Sequence, residues 1–197
     1  AIRLGRLLLA LMPDEPGVIG LLALMLLLDC RRAARVAPDG SAVRLADQVR
    51  HRWDPAEARQ GVALVAEGVR RTPERADPYV VQAAIAGCHA LAPSYAETDW
   101  DAVIAWYDVL LGVRDSPSAR LGRASAVAER DGAAAGLAEV DDIAGLEHHA
   151  WWHGARAELL HRLGRDDEAG IERAAAERLG LNAGALASLD SSLAAPP

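Results

Sequence analysis

The residues best suited to binding or chemistry form a charged segment around one tryptophan: Asp47, Gln48, Arg50, His51, Arg52, Trp53 and Asp54. Arg50 and Arg52 carry planar guanidinium groups that pair with carboxylates, and tryptophan is enriched at the energetic centres of protein interfaces. The segment is therefore a candidate to dock against another surface or to line a pocket. In the structural alternative, Trp53 fills the core and both arginines pair with neighbouring carboxylates. Those carboxylates are Asp47, Asp54 and Glu57.

A second candidate site is a run of aromatic and imidazole side chains: His149, Trp151, Trp152 and His153. On a helix, His149 and His153 lie one turn apart on the same face, a spacing that suits two metal ligands. The surrounding sequence has no HExxH motif and no Cys or Asp pattern that completes a metal site, so we predict no metal. Two interpretations stay open: the tryptophans pack between helices, or they line a small-molecule pocket edged by histidines.

Other reactive side chains fit structural roles better. Cys88 and His89 are adjacent on a predicted helix, so their side chains point in different directions and do not form a nucleophile and its base. Asp99 fits the start of a helix, where a carboxylate is favourable near free N–H groups, and Asp141 fits a solvated helix end. No GxSxG motif and no phosphate-binding glycine loop occurs. We therefore predict no cofactor, and the sequence favours a protein that is not an enzyme.

Charge and composition narrow the range of partners. The 197 residues carry a formal net charge of −7, which argues against direct nucleic-acid binding because phosphate contacts need a basic surface. Two cysteines in apolar helical patterns do not make a disulfide framework, and the expected compartment is the cytoplasm. The longest apolar run, residues 21–28, is far shorter than the ~20 residues of a membrane-spanning helix. We therefore expect a protein or a small molecule as the partner, and no membrane.

Apolar periodicity and helix-boundary residues predict an all-α protein. Proline, glycine, aspartate or serine stands at each boundary, and no segment alternates with a period of two. The predicted helices span residues 1–12, 16–36, 54–71, 78–91, 99–113, 117–130, 133–143, 149–163, 166–179 and 183–193. The second helix is apolar nearly all round, so other elements must surround it. One long irregular loop, at about 37–53, contains a tight-turn signal at Asp39 and Gly40.

The second half of the chain contains an internal repeat. Two similar segments begin 33 residues apart, at Arg123 and Arg156, and this period is close to the ~34 residues of a tetratricopeptide repeat. Such units bury their apolar faces only by stacking on neighbours. We predict stacked antiparallel helix pairs in a tetratricopeptide-like superhelical array. A single domain would cover residues 1–197, with N-terminal helices and the loop over 1–71 and helix pairs over 78–193.

Several segments, taken in their order along the chain, resemble one known family. They are residues 1–7, 20–35, 47–54, 82–90, 98–100 with Ile104 and Tyr107, 116–117, Gly132 with 136–137, and 155–160. Over about residues 1–176 the chain is similar to the tetratricopeptide-like C-terminal extension of certain bacterial extracytoplasmic-function sigma factors. In the loop, Val49 and His51 replace an acid and a hydroxyl that the family usually has. The chain therefore resembles a divergent member.

The resemblance implies a regulatory, protein-interaction domain that controls transcription initiation. Its contacts would be with the sigma core regions or RNA polymerase, through the loop at residues 47–54. The family's two N-terminal regions, which bind DNA and polymerase, are absent from residues 1–197. The chain opens at Ala1 inside a helical pattern and without an initiator Met, so we expect it to be a fragment. The alternative is a stand-alone, repurposed sigma-factor-like domain that binds or transforms a small molecule in an aromatic, histidine-lined pocket.

Overall fold

Ten α-helices make up most of the described part of the chain, residues 1–38 and 40–194 of the computed structural model. They are α1 (Ile2–Leu11), α2 (Pro16–Asp29), α3 (Pro55–Arg71), α4 (Pro78–Leu91), α5 (Trp100–Val113), α6 (Pro117–Asp131), α7 (Ala133–Asp141), α8 (Ala150–Arg162), α9 (Asp166–Arg178) and α10 (Ala183–Leu193). No β-strand occurs among these residues, so the predicted all-α, helical-repeat fold is confirmed. None of the described helices has the length and apolar character needed to cross a bilayer.

Side-chain caps fix where several helices begin. The Asp54 carboxylate accepts hydrogen bonds from the backbone N–H groups of Ala56 (2.8 Å) and Glu57 (3.1 Å), and Pro55 occupies the first turn of α3. Four further helices start with the same kind of cap, at Asp77, Asp99, Ser116 and Asn182. These caps explain why the predicted and observed helix starts agree closely.

The second helix is shorter than predicted, because it ends at Asp29 and not near residue 36. The Cys30 carbonyl accepts a hydrogen bond from the Asp54 N–H (2.8 Å), which ties the end of α2 to the start of α3. A 3₁₀ turn, Arg32–Ala34, follows in place of the last predicted helical turns. The predicted boundary is wrong because this tertiary contact outweighs the local helical preference of the sequence.

The segment between α2 and α3 is irregular, with two short 3₁₀ turns at Leu45–Asp47 and Arg50–Arg52. An isolated antiparallel bridge joins Val36 and Ala42 around a tight turn. In this turn Gly40 has a φ of +87°, a backbone conformation that favours glycine. Asp39, the other residue of the predicted turn signal, lies outside the described residues.

The contacts along the chain define two compact units. Unit 1 consists of Ala1–Arg35 and Leu45–Asp115, which include α1 to α5. Unit 2 consists of Val36–Arg44 and the chain from Ser116 onward, which includes α6 to α10. The chain passes from one unit to the other three times, because residues 36–44 belong to unit 2 while the residues on both sides of them belong to unit 1. The arrangement as one domain over residues 1–197 stays a prediction.

Helix α2 is the centre of unit 1. Its side chains Leu22, Leu26 and Leu27 are almost completely buried, and α1, α3 and α4 pack around it. Gly20 allows the backbones of α2 and α4 to touch, because a Cβ added there would lie 2.4 Å from the Val80 nitrogen. The all-round apolar character of this helix therefore reflects its surrounded position, as the sequence predicts.

Unit 2 is built from neighbouring helix pairs. Helix α6 packs on α7, and α8 packs on α9, with further contacts from α7 and α10 to α8. Ala128, Val140 and Leu160 lie in the core between these helices. Gly136 permits close approach of α6 and α7, since a Cβ there would lie 2.3 Å from the Ala128 Cβ.

Candidate functional site

The loop that precedes α3 folds onto the C-terminal end of α4. The Arg50 Nη1 donates hydrogen bonds to the carbonyl oxygens of His89 and Ala92, each at 2.7 Å. These oxygens belong to the free acceptors that every helix leaves at its C-terminal end, where a cation is favourable. The arginine therefore caps α4 and fixes this part of the loop, within unit 1, against the end of that helix.

Trp53 lies beneath this arginine and is only 9% exposed. The Arg50 Cζ is 4.5 Å from the centre of the Trp53 ring, and the Arg31 Cζ is 5.8 Å from it, so both guanidinium groups make cation–π contacts. Burial lowers the pKa of Arg31 and of Arg50 below the usual arginine value. The core position of Trp53 matches the structural alternative, but Arg50 binds backbone carbonyls and not the carboxylate of Asp47, Asp54 or Glu57.

A cavity of about 500 Å³ opens beside these residues. Arg50, Trp53 and Asp54 contribute to its lining, together with small side chains of α3 and the segment at residues 90–93. We call this cavity the α3 groove. Its volume falls in the range typical of ligand sites, and its walls are mostly apolar with a few polar groups. The groove is the candidate functional site.

The other predicted loop residues lie outside the groove lining. His51 and Arg52 are exposed, Asp47 is exposed, and Gln48 is half-buried. The structure therefore brings Arg50, Trp53 and Asp54 of the predicted segment together at one cavity, and the remaining four do not line it. Their assignment as binding residues stays a prediction.

The sequence interpretation missed the walls of the groove. Ala58, Val62, Ala63 and Ala66 line it from α3, at spacings that place them on one helical face. Small side chains at these positions leave the space over this face of α3 that forms the groove. This stripe was visible in the sequence, but a stripe of alanines is equally typical of a closely packed helix pair.

Several polar atoms near the groove are buried without a partner among the described residues. They are the Arg50 Nη2, the Trp53 Nε1 and the His89 Nδ1. His89 also packs its ring edge against Trp100, with ring centres 5.5 Å apart. Burial, with smaller contributions from the charges of Arg31 and Arg50, lowers the pKa of His89 to about 4. His89 is therefore a neutral imidazole near pH 7.

This lowered pKa predicts a pH-dependent stability. Between pH 6.5 and pH 4 the unfolded chain binds a proton at His89 that the folded chain does not bind, so stability falls as the pH drops through this window. The loss reaches about 2–3 kcal/mol at pH 4. The variant His89→Phe keeps a ring against Trp100 and lacks the imidazole, so its urea-unfolding free energy should fall less over the same range. Equal losses in both proteins would contradict the prediction.

The second predicted cluster serves as an anchor in unit 2. The Trp152 Nε1 donates to the Val140 carbonyl (2.9 Å), and the Arg156 Cζ lies 4.7 Å from the centre of the Trp152 ring. Trp151, by contrast, is 55% exposed. The packing interpretation therefore accounts for Trp152 but not for Trp151.

The two histidines of this cluster lie in different surroundings. The His153 Nδ1 lies 2.5 Å from a Glu172 carboxylate oxygen, and its Nε2 lies 3.0 Å from the Glu147 carbonyl. Both ring nitrogens of His153 therefore already have protein partners, whereas His149 stands at the N-cap position of α8. Within residues 1–38 and 40–194, no three His, Cys, Asp or Glu side chains are grouped closely enough to hold a metal ion.

The chain is similar to one protein family and to one bacterial protein, and neither has an assigned activity. Residues 1–69 match the family of unknown function DUF6596, a region that contains α1, α2, the loop and most of α3. An uncharacterized protein of Rhizobium meliloti (strain 1021) is 41% identical over 170 residues, which is 86% of this chain. The chain spans 40% of the length of that relative. No solved structure matches the chain.

Proposed function

We propose that this chain is the regulatory, protein-interaction domain of an extracytoplasmic-function sigma factor. Its α3 groove and the loop beside it contact the sigma core regions or RNA polymerase and thereby control transcription initiation. The observation that carries the proposal is the location of the family-like loop. Three of its residues, Arg50, Trp53 and Asp54, line the groove.

The groove has the features of a protein-docking surface. Its α3 wall is made of small apolar side chains, which let a partner backbone approach closely, and Leu91 on the opposite side is exposed. Arg50 and Arg59 add guanidinium groups to this lining, a residue type enriched at interface centres. The net charge of −7 favours a protein partner over nucleic acid.

The relative from Rhizobium meliloti supports a domain that works as part of a longer polypeptide. The matched scaffold accounts for 40% of that protein, so further sequence is joined to it there. In the proposed function, the corresponding sequence of this protein would carry the promoter-binding regions. The natural reading frame around this chain is therefore the first thing to determine. A frame without such regions would contradict the sigma-factor proposal.

A single substitution tests the groove itself. Ala63 is exposed in the middle of α3 and lines the groove, so Ala63→Arg fills it without disturbing a buried side chain. In the full natural polypeptide, we expect this variant to weaken binding to RNA polymerase at least about tenfold and to lower transcript yield in proportion. Ala105→Arg, at an exposed position in the middle of α5, is the matched control and should change neither quantity. Equal effects of both variants would exclude the groove as the contact surface.

The second candidate function is small-molecule binding in the same groove. The observation that favours it is the cavity volume of about 500 Å³ beside Trp53 and Arg50, which suits a drug-sized ligand. Thermal-shift screening of the chain against small organic acids and aromatic compounds tests it, because a ligand that binds only the folded state raises the melting temperature. A hit must shift the wild-type chain and leave Ala63→Arg unshifted. Hits that shift both proteins equally would speak against the groove.

A further inference from the structure

The lining of the α3 groove carries an excess of positive charge. Arg50 and Arg59 are its two basic residues, and Asp54 is its acidic residue. The Asp54 carboxylate already accepts hydrogen bonds from the backbone N–H groups of Ala56 and Glu57, which begin α3. The net charge of the whole chain is −7. The groove is therefore a local positive site on an acidic protein, and its charge is complementary to an acidic partner.

Three donor groups in this lining lack an acceptor. Arg59 is exposed and makes no hydrogen bond or ion pair with another residue of the described ranges 1–38 and 40–194. Trp53 is only 9% exposed, and its Nε1–H has no acceptor among the same residues. The Arg50 Nη2 also has none, although the Nη1 of the same guanidinium binds two carbonyl oxygens at the end of α4. A carboxylate is the group that supplies acceptors and also carries the opposite charge.

The α3 wall of the groove has a residue pattern on which another helix packs. Ala58, Val62 and Ala66 follow one another at intervals of four residues, and Ala63 lies one turn beyond Arg59 in the adjacent row. Rows with this interval form the ridges and grooves by which helices pack together. No β-strand occurs among the described residues, so an extended segment finds no sheet edge to pair with here. The wall from Ala58 to Ala66 is about 12 Å long, which matches two to three turns of a partner helix.

We propose that the α3 groove binds an acidic amphipathic helix of the partner protein. The apolar face of that helix packs on the small side chains of α3 and on the exposed Leu91, and its Asp or Glu side chains pair with Arg59 and face Arg50. This inference rests on the proposed function, because it names the kind of segment by which the sigma core regions or RNA polymerase occupy the groove. The apolar contact supplies affinity, and the charge pairs select an acidic segment over a basic one.

Reversing the charge of Arg59 tests the inference. In the full natural polypeptide, Arg59→Glu should weaken binding to RNA polymerase at least about tenfold at low salt, because it places a carboxylate against the acidic residues of the partner. Arg59→Lys keeps the charge and should stay within about threefold of the wild type. Arg3→Glu is the matched control, since Arg3 on α1 is exposed, lies outside the groove lining and undergoes the same charge change. Circular dichroism checks that all three variants fold.

The variant Ala63→Arg separates a failure of this inference from a failure of the proposed function. If Ala63→Arg weakens polymerase binding and Arg59→Glu does not, the groove is the contact surface but its partner segment is not acidic, so this inference alone is overturned. If neither variant weakens binding, the groove is not the contact surface and both proposals are overturned. Equal weakening by Arg59→Glu and Arg3→Glu would reflect the net charge of the chain and would also overturn the inference.

Photo-crosslinking identifies the partner segment directly. A photoreactive amino acid replaces Ala66, which is exposed and lines the groove, and the full natural polypeptide is irradiated in complex with purified RNA polymerase. Mass spectrometry of the crosslinked peptide should identify a segment with more acidic than basic residues. Changing an acidic residue of that segment to arginine should then restore the binding that Arg59→Glu loses. A crosslinked segment with a net positive charge, or no restoration by any such exchange, would overturn the inference.

Discussion

Replacing Gly20 by alanine is expected to destabilise unit 1 by about 3 kcal/mol. The added Cβ would lie 2.4 Å from the Val80 nitrogen and 2.7 Å from the Tyr79 carbonyl carbon, both of which belong to the backbone. A backbone cannot rotate away as a side chain can, so α2 and α4 must separate. Because α2 is the centre of unit 1, this separation also loosens the packing of Leu22 and Leu26. Urea unfolding followed by circular dichroism measures the loss.

The control for this prediction is another glycine inside a helix. A Cβ on Gly170, in α9, would meet nothing within 4 Å. Gly170→Ala should therefore stabilise the protein by up to about 1 kcal/mol, because alanine has the higher helix propensity. The two glycine-to-alanine changes are expected to have opposite signs. A stabilising Gly20→Ala would show that α2 and α4 do not approach as closely as described.

Replacing Trp53 by alanine is expected to cost about 3–5 kcal/mol of stability. The side chain is almost fully buried beneath two guanidinium groups, and the Arg50 head that stacks on it also caps α4. Loss of the ring therefore leaves a cavity and removes the support for that cap. The variant should also bind less well at the α3 groove, but this loss would result from the disturbed fold. Trp53→Ala is therefore unsuitable for testing whether the groove is a binding site.

Trp151→Ala is the matched control for this tryptophan. Trp151 is 55% exposed, so the same chemical change should cost no more than about 1 kcal/mol. Chemical denaturation of the two variants under identical conditions compares them directly. Equal losses of unfolding free energy would mean that Trp53 does not hold the loop in place.

The helices were predictable because their boundaries are encoded locally. Asp54, Asp77 and Ser116 cap the helices that follow them, and each is followed by proline in the first turn. The end of α2 was not predictable, since residues beyond Asp29 have no local stop signal. There the decisive contact joins Cys30 to Asp54, far apart in sequence. Local patterns do not contain such contacts.

The candidate site was predictable in part. The residue types around Trp53 indicated a segment with a special role, and the structure places Arg50, Trp53 and Asp54 at one cavity. The partners of Arg50 were not predictable, because they are backbone carbonyls of another helix and any residue type supplies them. In the second cluster, the sequence showed the histidine spacing but not the Glu172 and Glu147 oxygens that engage His153.

Unit 2 is discontinuous in the chain, and this affects how it can be made. Residues 36–44 leave the ribosome long before the helices from Ser116 onward with which they are grouped. Their contacts must therefore wait until those helices have been synthesised, and contacts between distant residues slow folding. No cut at a single peptide bond yields both units whole. A dissection of this protein must keep residues 36–44 with the C-terminal helices, for example by linking the two pieces in a permuted chain.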